Sequence, residues 1–344
     1  MTHIHNNVRV GKQPQAKAWL LRFVKDWTLP VAIATGTALY LLFAYVPALE
    51  PAASVCGPVC EAVLPLTIFA TLFVTFSKVD FHLMHLERWH AAILAAQGLC
   101  VAVLTAILTA TDGGPTRMAM EAVMTCVIAP CASASPVVTA KLGGNLTAMT
   151  TFTLLSAIAT SVLIPAIFPL IEPEAHTTFA TAFLQILHKV AAVLLLPLAL
   201  GAIVRHYWHA LYRWLMGTPD LGFYLWSISL AITTGITVRN IAHSHAAPSL
   251  LAAIAMLTLL TAFAQFRIGR AIGKAYKTPI CAGQAMFQKN TALAIWVSFA
   301  FLTPTASIGA GCYVLWQNII NSAELWQHRR FSAATQGGDN QKKR

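Results

Sequence analysis

Acidic residues are scarce. The chain holds 12 Asp+Glu among 344 residues, and even with 23 Lys+Arg the charged fraction is 10%, against about 25% in an ordinary soluble domain. So few charges cannot cover the surface of a water-soluble protein of this size. A soluble enzyme of normal surface, a nucleic-acid-binding domain and a disordered chain are all excluded. No glycine-rich phosphate loop occurs, so no ATP-driven transport is implied. The seven cysteines have no metal-like spacing, and the His-x-His pairs at 3–5 and 243–245 lack a third ligand nearby, so no metal site is assigned.

What is present is apolar, with 57% hydrophobic residues and a mean hydropathy of +0.65. These residues fall in ten blocks, at 29–47, 60–77, 90–110, 119–142, 146–171, 178–204, 221–238, 248–266, 279–302 and 305–327. A helix needs about 20 apolar residues to cross the hydrocarbon core, so each block can span a bilayer with modest tilt. The chain reads as an all-α, multi-pass membrane protein.

The basic residues orient it. Lys and Arg at 9, 12, 17, 22 and 25 precede the first span. The even-numbered connections carry Lys78 and Arg88, then Lys141, then Arg205 and Arg213, then Arg267, Arg270, Lys274 and Lys277. Arg329, Arg330, Lys342, Lys343 and Arg344 follow the last span, which puts nineteen on one side. The opposite side has Arg117 and Arg239, while Lys189 and Lys289 fall inside spans. The positive-inside rule places both termini in the cytoplasm of a cell whose inner (plasma) membrane holds the chain.

Residues 1–28 are read as a cytoplasmic interfacial segment rather than a cleaved signal. Trp19, Phe23 and Trp27 recur at helical spacing with Arg22 and Lys25 between them, as in a helix lying on an anionic surface. The polar, Gly-containing stretch after Phe331, within a tail at 328–344, reads as disordered. Cys56 and Cys60 lie one helical turn apart, a spacing that rarely meets disulfide geometry even on an oxidising side.

Ten spans divide into five-helix halves at 29–171 and 178–327. Because five is odd, the second half enters the bilayer inverted, as in many secondary transporters. Inverted repeats predict polar interruptions in corresponding spans. The fourth span contains Pro130 and Pro136 flanking Ser133 and Ser135, and the ninth contains Gln284 and then Gln288-Lys289-Asn290-Thr291. Two such prolines are incompatible with one unbroken helix, and the polar run survives at bilayer depth only against protein or water. Both helices are therefore expected to break and to aim their half-helix ends at one central binding site.

At these residues the chain resembles the bile acid:sodium symporter family. Ser133-Ala134-Ser135-Pro136-Val137-Val138-Thr139 with Gly143-Gly144-Asn145 is similar to the family's broken fourth helix. Phe287-Gln288-Lys289-Asn290-Thr291 is similar to its broken ninth, and Trp316-Gln317-Asn318-Ile319 with Ser322 to its tenth. The resemblance implies a carrier with a panel domain and a core domain, an organic anion bound between them, and sodium coupled to uptake. It implies substrate contact at Ser133, Ser135, Asn290 and Thr291, with Lys189 of the sixth span as an anion-selecting cation. It implies ion coupling at Gln97, Ser135, Thr153, Gln284, Gln288 and Lys289.

The departures bear on sodium. Pro136 and Met149 stand where the family has an Asn and a hydroxyl, Ala285 where it has a shared Glu, and Lys289 where it has a Gln. A lysine ammonium offers donors only, whereas sodium needs oxygen ligands. Sodium is thus a doubtful cofactor here, and no other cofactor is expected. Lys289 as a tethered cation, Lys289 as a proton carrier, uncoupled transport and a sodium site built from other oxygens all stay open. The expected partners are a small or amphipathic organic anion and the bilayer; the oligomeric state is open. An intramembrane enzyme or a ligand sensor is the competing class. The enzyme lacks a nucleophile–base set, since Glu61, Glu121 and Glu324 lie at span ends, and the sensor lacks a signalling domain.

Overall fold

The computed structural model describes residues 28–173, 178–218, 221–244 and 246–342. The proposed interfacial segment and His3-x-His5 lie outside them. The described residues form thirteen α-helices and two short 3₁₀ turns, and no strand. In chain order the helices are α1 (Thr28–Tyr45), α2 (Glu50–Ser77), α3 (Arg88–Thr109), α4 (Gly114–Ile128), α5 (Ser135–Lys141), α6 (Leu146–Ile171), α7 (Phe179–Tyr207), α8 (His209–Gly217), α9 (Leu221–Ala242), α10 (Pro248–Ala275), α11 (Pro279–Phe287), α12 (Thr291–Phe301) and α13 (Pro304–Lys342). Five stretches, Pro47–Ser77, Arg88–Thr109, Leu146–Ile171, Phe179–Tyr207 and Pro248–Ala275, are long and apolar enough to cross a membrane.

The ends follow local chemistry. Asn145 and Asn290 cap α6 and α12 by accepting from Ala148 N and Leu293 N, each at 3.1 Å, which satisfies donors that an apolar environment would leave bare. Threonines inside the helices return their hydroxyls to the preceding turn, as at Thr71 to Thr67 O (2.7 Å) and Thr237 to Thr233 O (2.8 Å). This is how polar side chains sit in apolar helices without unpaired groups.

Most helix ends fall within a few residues of the apolar blocks. Three helices differ: the second, the last, and α10, which runs to Ala275 beyond the block at 248–266. The second helix begins ten residues before the block at 60–77, because Pro51 suits a first turn and the Ala and Val that follow extend the apolar stretch. Cys56 and Cys60 consequently share α2, both as free thiols. The last helix continues to Lys342 through the expected disordered tail.

α1, α2, α7 and α9 pack together, and α3–α6 pack with α10–α13. α10 meets α11 through Gly269 and Gly273. A Cβ at Gly273 would lie 2.6 Å from Pro279 Cα, so only glycine permits this approach. Gly143, at φ +83, turns the chain between α5 and α6, where a side chain would be strained.

Candidate functional site: two broken helices that meet

Both expected interruptions are present. The fourth-span sequence stops at Ile128 and resumes at Ser135; the ninth stops at Phe287 and resumes at Thr291. Pro130 disfavours helical backbone before it, and Pro136 fits the first turn of α5. The two breaks pair with each other through an antiparallel bridge between Cys131 and Lys289. Ala132 N donates to Gln288 O at 2.9 Å, and Asn290 N donates to Pro130 O at 2.8 Å.

Side chains of neighbouring helices satisfy further backbone groups. Gln97 of α3 donates through Nε2 to the carbonyls of Val127, Ile128 and Ala129 at 3.0–3.2 Å. Cys131 N donates to Ser156 Oγ at 2.9 Å. Tyr313 OH donates to Phe287 O at 2.7 Å, and Gln265 Nε2 donates to Tyr313 OH at 3.0 Å. Gln317 holds Lys289 from both sides, accepting from its N–H at 3.0 Å and donating to its carbonyl at 3.3 Å. Ser156, Tyr313, Gln265 and the roles of Cys131 and Gln317 were not legible beforehand. Trp316-Gln317-Asn318 is marked only by its likeness to the family's tenth helix, which gives Gln317 no target.

The Lys289 side chain is buried, 1% exposed, and its Nζ has no hydrogen-bond partner. By contrast, the three carboxylates at span ends each meet an arginine. Glu61 pairs with Arg239 at 2.6 Å, Glu121 with Arg117 at 3.2 Å, and Glu324 with Arg270. Leaving an ammonium buried and unpaired costs several kcal/mol, so its retention calls for a function.

The candidate residues separate. Gln97, Ser135, Thr153, Gln288 and Lys289 gather at the breaks, joined there by Asn290 and Thr291, with Ser133 half-buried inside the first break. Gln284 lies one turn back on α11 and donates to Glu324 Oε2 at 2.7 Å, so its amide serves the Arg270–Glu324 pair. Lys189 is exposed, its Nζ 5.4 Å from the centroid of the Phe301 ring. Phe301 ends α12, roughly 15 Å along that helix from the break. Cation–π contact at the far end of α12, rather than burial at the crossing, sets the position of Lys189.

A cavity of about 1070 Å³ lies between the start of α4, the end of α9, the start of α10 and the α12–α13 junction. Arg239, Asn240 and His243 line it together with apolar residues such as Met118, Leu257 and Phe299. None of Ser133, Ser135, Asn290 and Thr291 belongs to its wall.

The pattern of the sodium bile acid symporter family matches residues 72–244. The chain belongs to that family. It is therefore a multi-pass membrane protein of a transporter family. A comparison with curated proteins finds no match. The family match spans Gln97, Ser133, Ser135, Thr153 and Lys189. It stops before α11 and α12, so Lys289 and its neighbours are tied to the site by their geometry.

Membership raises the fit of sodium. Ser135 Oγ and Thr153 Oγ1 lie 3.2 and 3.8 Å from the Cys131 thiol, which stands between two candidate oxygen ligands. The carbonyls ending α4 are taken by Gln97. Gln97 Oε1 and Gln288 Oε1 are buried and unpaired, but so is the amine of Lys289, which follows Gln288 in the same break. A lysine ammonium repels a second cation placed beside it, and no carboxylate is among the residues hydrogen-bonded at the breaks. The donor set does not fit sodium.

Proposed function

We propose that this protein is a secondary carrier of a small or amphipathic organic anion, working by alternating access, with Lys289 in place of sodium. The observation that carries the reading is the buried, unpaired amine of Lys289 at the meeting of two helix breaks. α12 also directs its N-terminus to that point, capped by Asn290 and begun by Thr291, and a helix N-terminus favours negative charge. An anion reaching the crossing meets both. Ser133 and Ser135 add hydroxyl donors from the first break.

The topology belongs to the same reading: ten passes, inverted halves, both termini in the cytoplasm of a cell's inner membrane. Related contacts support it, because α1 packs on α9 as α2 packs on α7, and α3 on α6 as α10 on α13. These are the pairs that exchanging inverted halves interconverts. The cavity beside Arg239 then opens on the outer side. Its size and mostly apolar wall suit an amphipathic anion approaching the crossing.

Two measurements test the function. Thermal-shift screening of anionic metabolites should find stabilising ligands, and stabilisation by cations or neutral solutes alone overturns the charge argument. Counterflow of the identified anion in liposomes should show exchange. A carrier exchanges label, an enzyme converts it, and a sensor does neither. Exchange should persist when choline replaces sodium at fixed pH; a large, saturable sodium requirement would remove Lys289 from its assigned role.

A further inference from the structure

The bridge at the crossing pairs Cys131 with Lys289 directly. Residues opposed in an antiparallel bridge send their side chains to the same side, so the thiol and the base of the lysine chain lie together. The thiol sits inside a set of buried hydroxyls. Ser135 is wholly buried and Thr153 is 3% exposed, at 3.2 and 3.8 Å from Sγ, while Ser156 Oγ accepts from the Cys131 N–H at 2.9 Å. Ser135 Oγ also reaches Gln288 O at 3.5 Å. Without the sulfur, the hydroxyls of Ser135 and Thr153 and the carbonyl of Gln288 resemble the oxygen cradle in which broken-helix carriers coordinate a small cation.

We propose that Cys131 is the residue that closes this cradle, and that ion selection is divided between two side chains. The thiol fills the space between Ser135 and Thr153 with a soft, weak ligand, and Lys289 supplies the positive charge. Removing the lysine alone leaves the cradle filled. Removing the thiol alone leaves the competing cation in place. Both must change before a hard cation enters. This inference rests on the carrier reading, with Lys289 in place of sodium, and extends it to a second residue.

Purified full-length protein in detergent is titrated with sodium chloride against choline chloride at constant ionic strength, following the unfolding temperature. Wild type, Lys289→Gln and Cys131→Ser should each respond equally to the two salts. The double variant, Cys131→Ser with Lys289→Gln, should gain a saturable rise of a few degrees with sodium only, since a ligand that binds the folded state stabilises it. A sodium-specific rise in Lys289→Gln alone overturns the role of Cys131 while leaving that of Lys289 intact. A rise in wild type overturns the sodium-free carrier reading itself. A flat double variant overturns the cradle. Should that variant melt too low to titrate, Cys131→Ala with Lys289→Gln opens the same space and is judged by the same outcomes.

Discussion

Lys289 carries the most exact expectation at the level of single residues. Replacing it with Gln removes the ammonium but keeps a polar side chain of similar length. Lys289→Gln should lower anion uptake at least tenfold (a change of about 1.4 kcal/mol) at every sodium concentration, with little loss of expression. Uptake into liposomes checks this, and an unimpaired variant would take the charge out of the mechanism. Gln317 acts on the same residue through its backbone. Its side chain makes two hydrogen bonds to Lys289, and Gln317→Leu leaves a buried N–H and C=O unpaired. Stability should fall by about 1–3 kcal/mol, read as a lower melting temperature of the purified protein.

Among the elements, the packing of α10 on α11 positions the second break. Gly269 and Gly273 let the helices touch, and a Cβ at Gly269 would lie 2.8 Å from Met286 Cβ and 3.0 Å from Gly283 Cα. Gly269→Leu should therefore force α11 away, with loss of folded protein in a fluorescence size-exclusion assay. Gly98 of α3 has nothing within 4 Å of its would-be Cβ. Gly98→Ala should be neutral or stabilising by up to about 1 kcal/mol. Equal damage at the two sites would mean that helix propensity, not close approach, governs both.

For the whole molecule, the topology is open to labelling. Asp112 follows the end of α3 and Ser249 lies in the first turn of α10 at the cavity beside Arg239, while Lys141 ends α5 and Lys274 lies at the far end of α10; all four are exposed. In a background without native cysteine, Asp112→Cys and Ser249→Cys should react with an impermeant maleimide added to intact cells. Lys141→Cys and Lys274→Cys should react only after the membrane is opened. Any reversal removes the cytoplasmic termini and, with them, the inverted halves.

The breaks themselves were legible in the sequence for a local reason. A proline removes a backbone donor and clashes with the preceding turn wherever it stands, and Gln288-Lys289-Asn290 is costly in lipid whatever surrounds it. The apolar blocks were legible likewise, because burial in a bilayer depends on composition over about 20 residues. Tertiary structure alone decided which side chains complete the backbone accounting: Gln97 on α4, Tyr313 and Gln317 on the second break, Ser156 on Cys131. Each crosses 25–32 residues of chain to another element, and no local rule assigns a polar group a partner across such a distance. The same holds for the burial of the two lysines inside spans, which sequence alone did not decide. Lys289 is enclosed by the pairing of the breaks, and Lys189 rests on Phe301 in the open, because burial is a property of how helices pack and not of the residues within one of them.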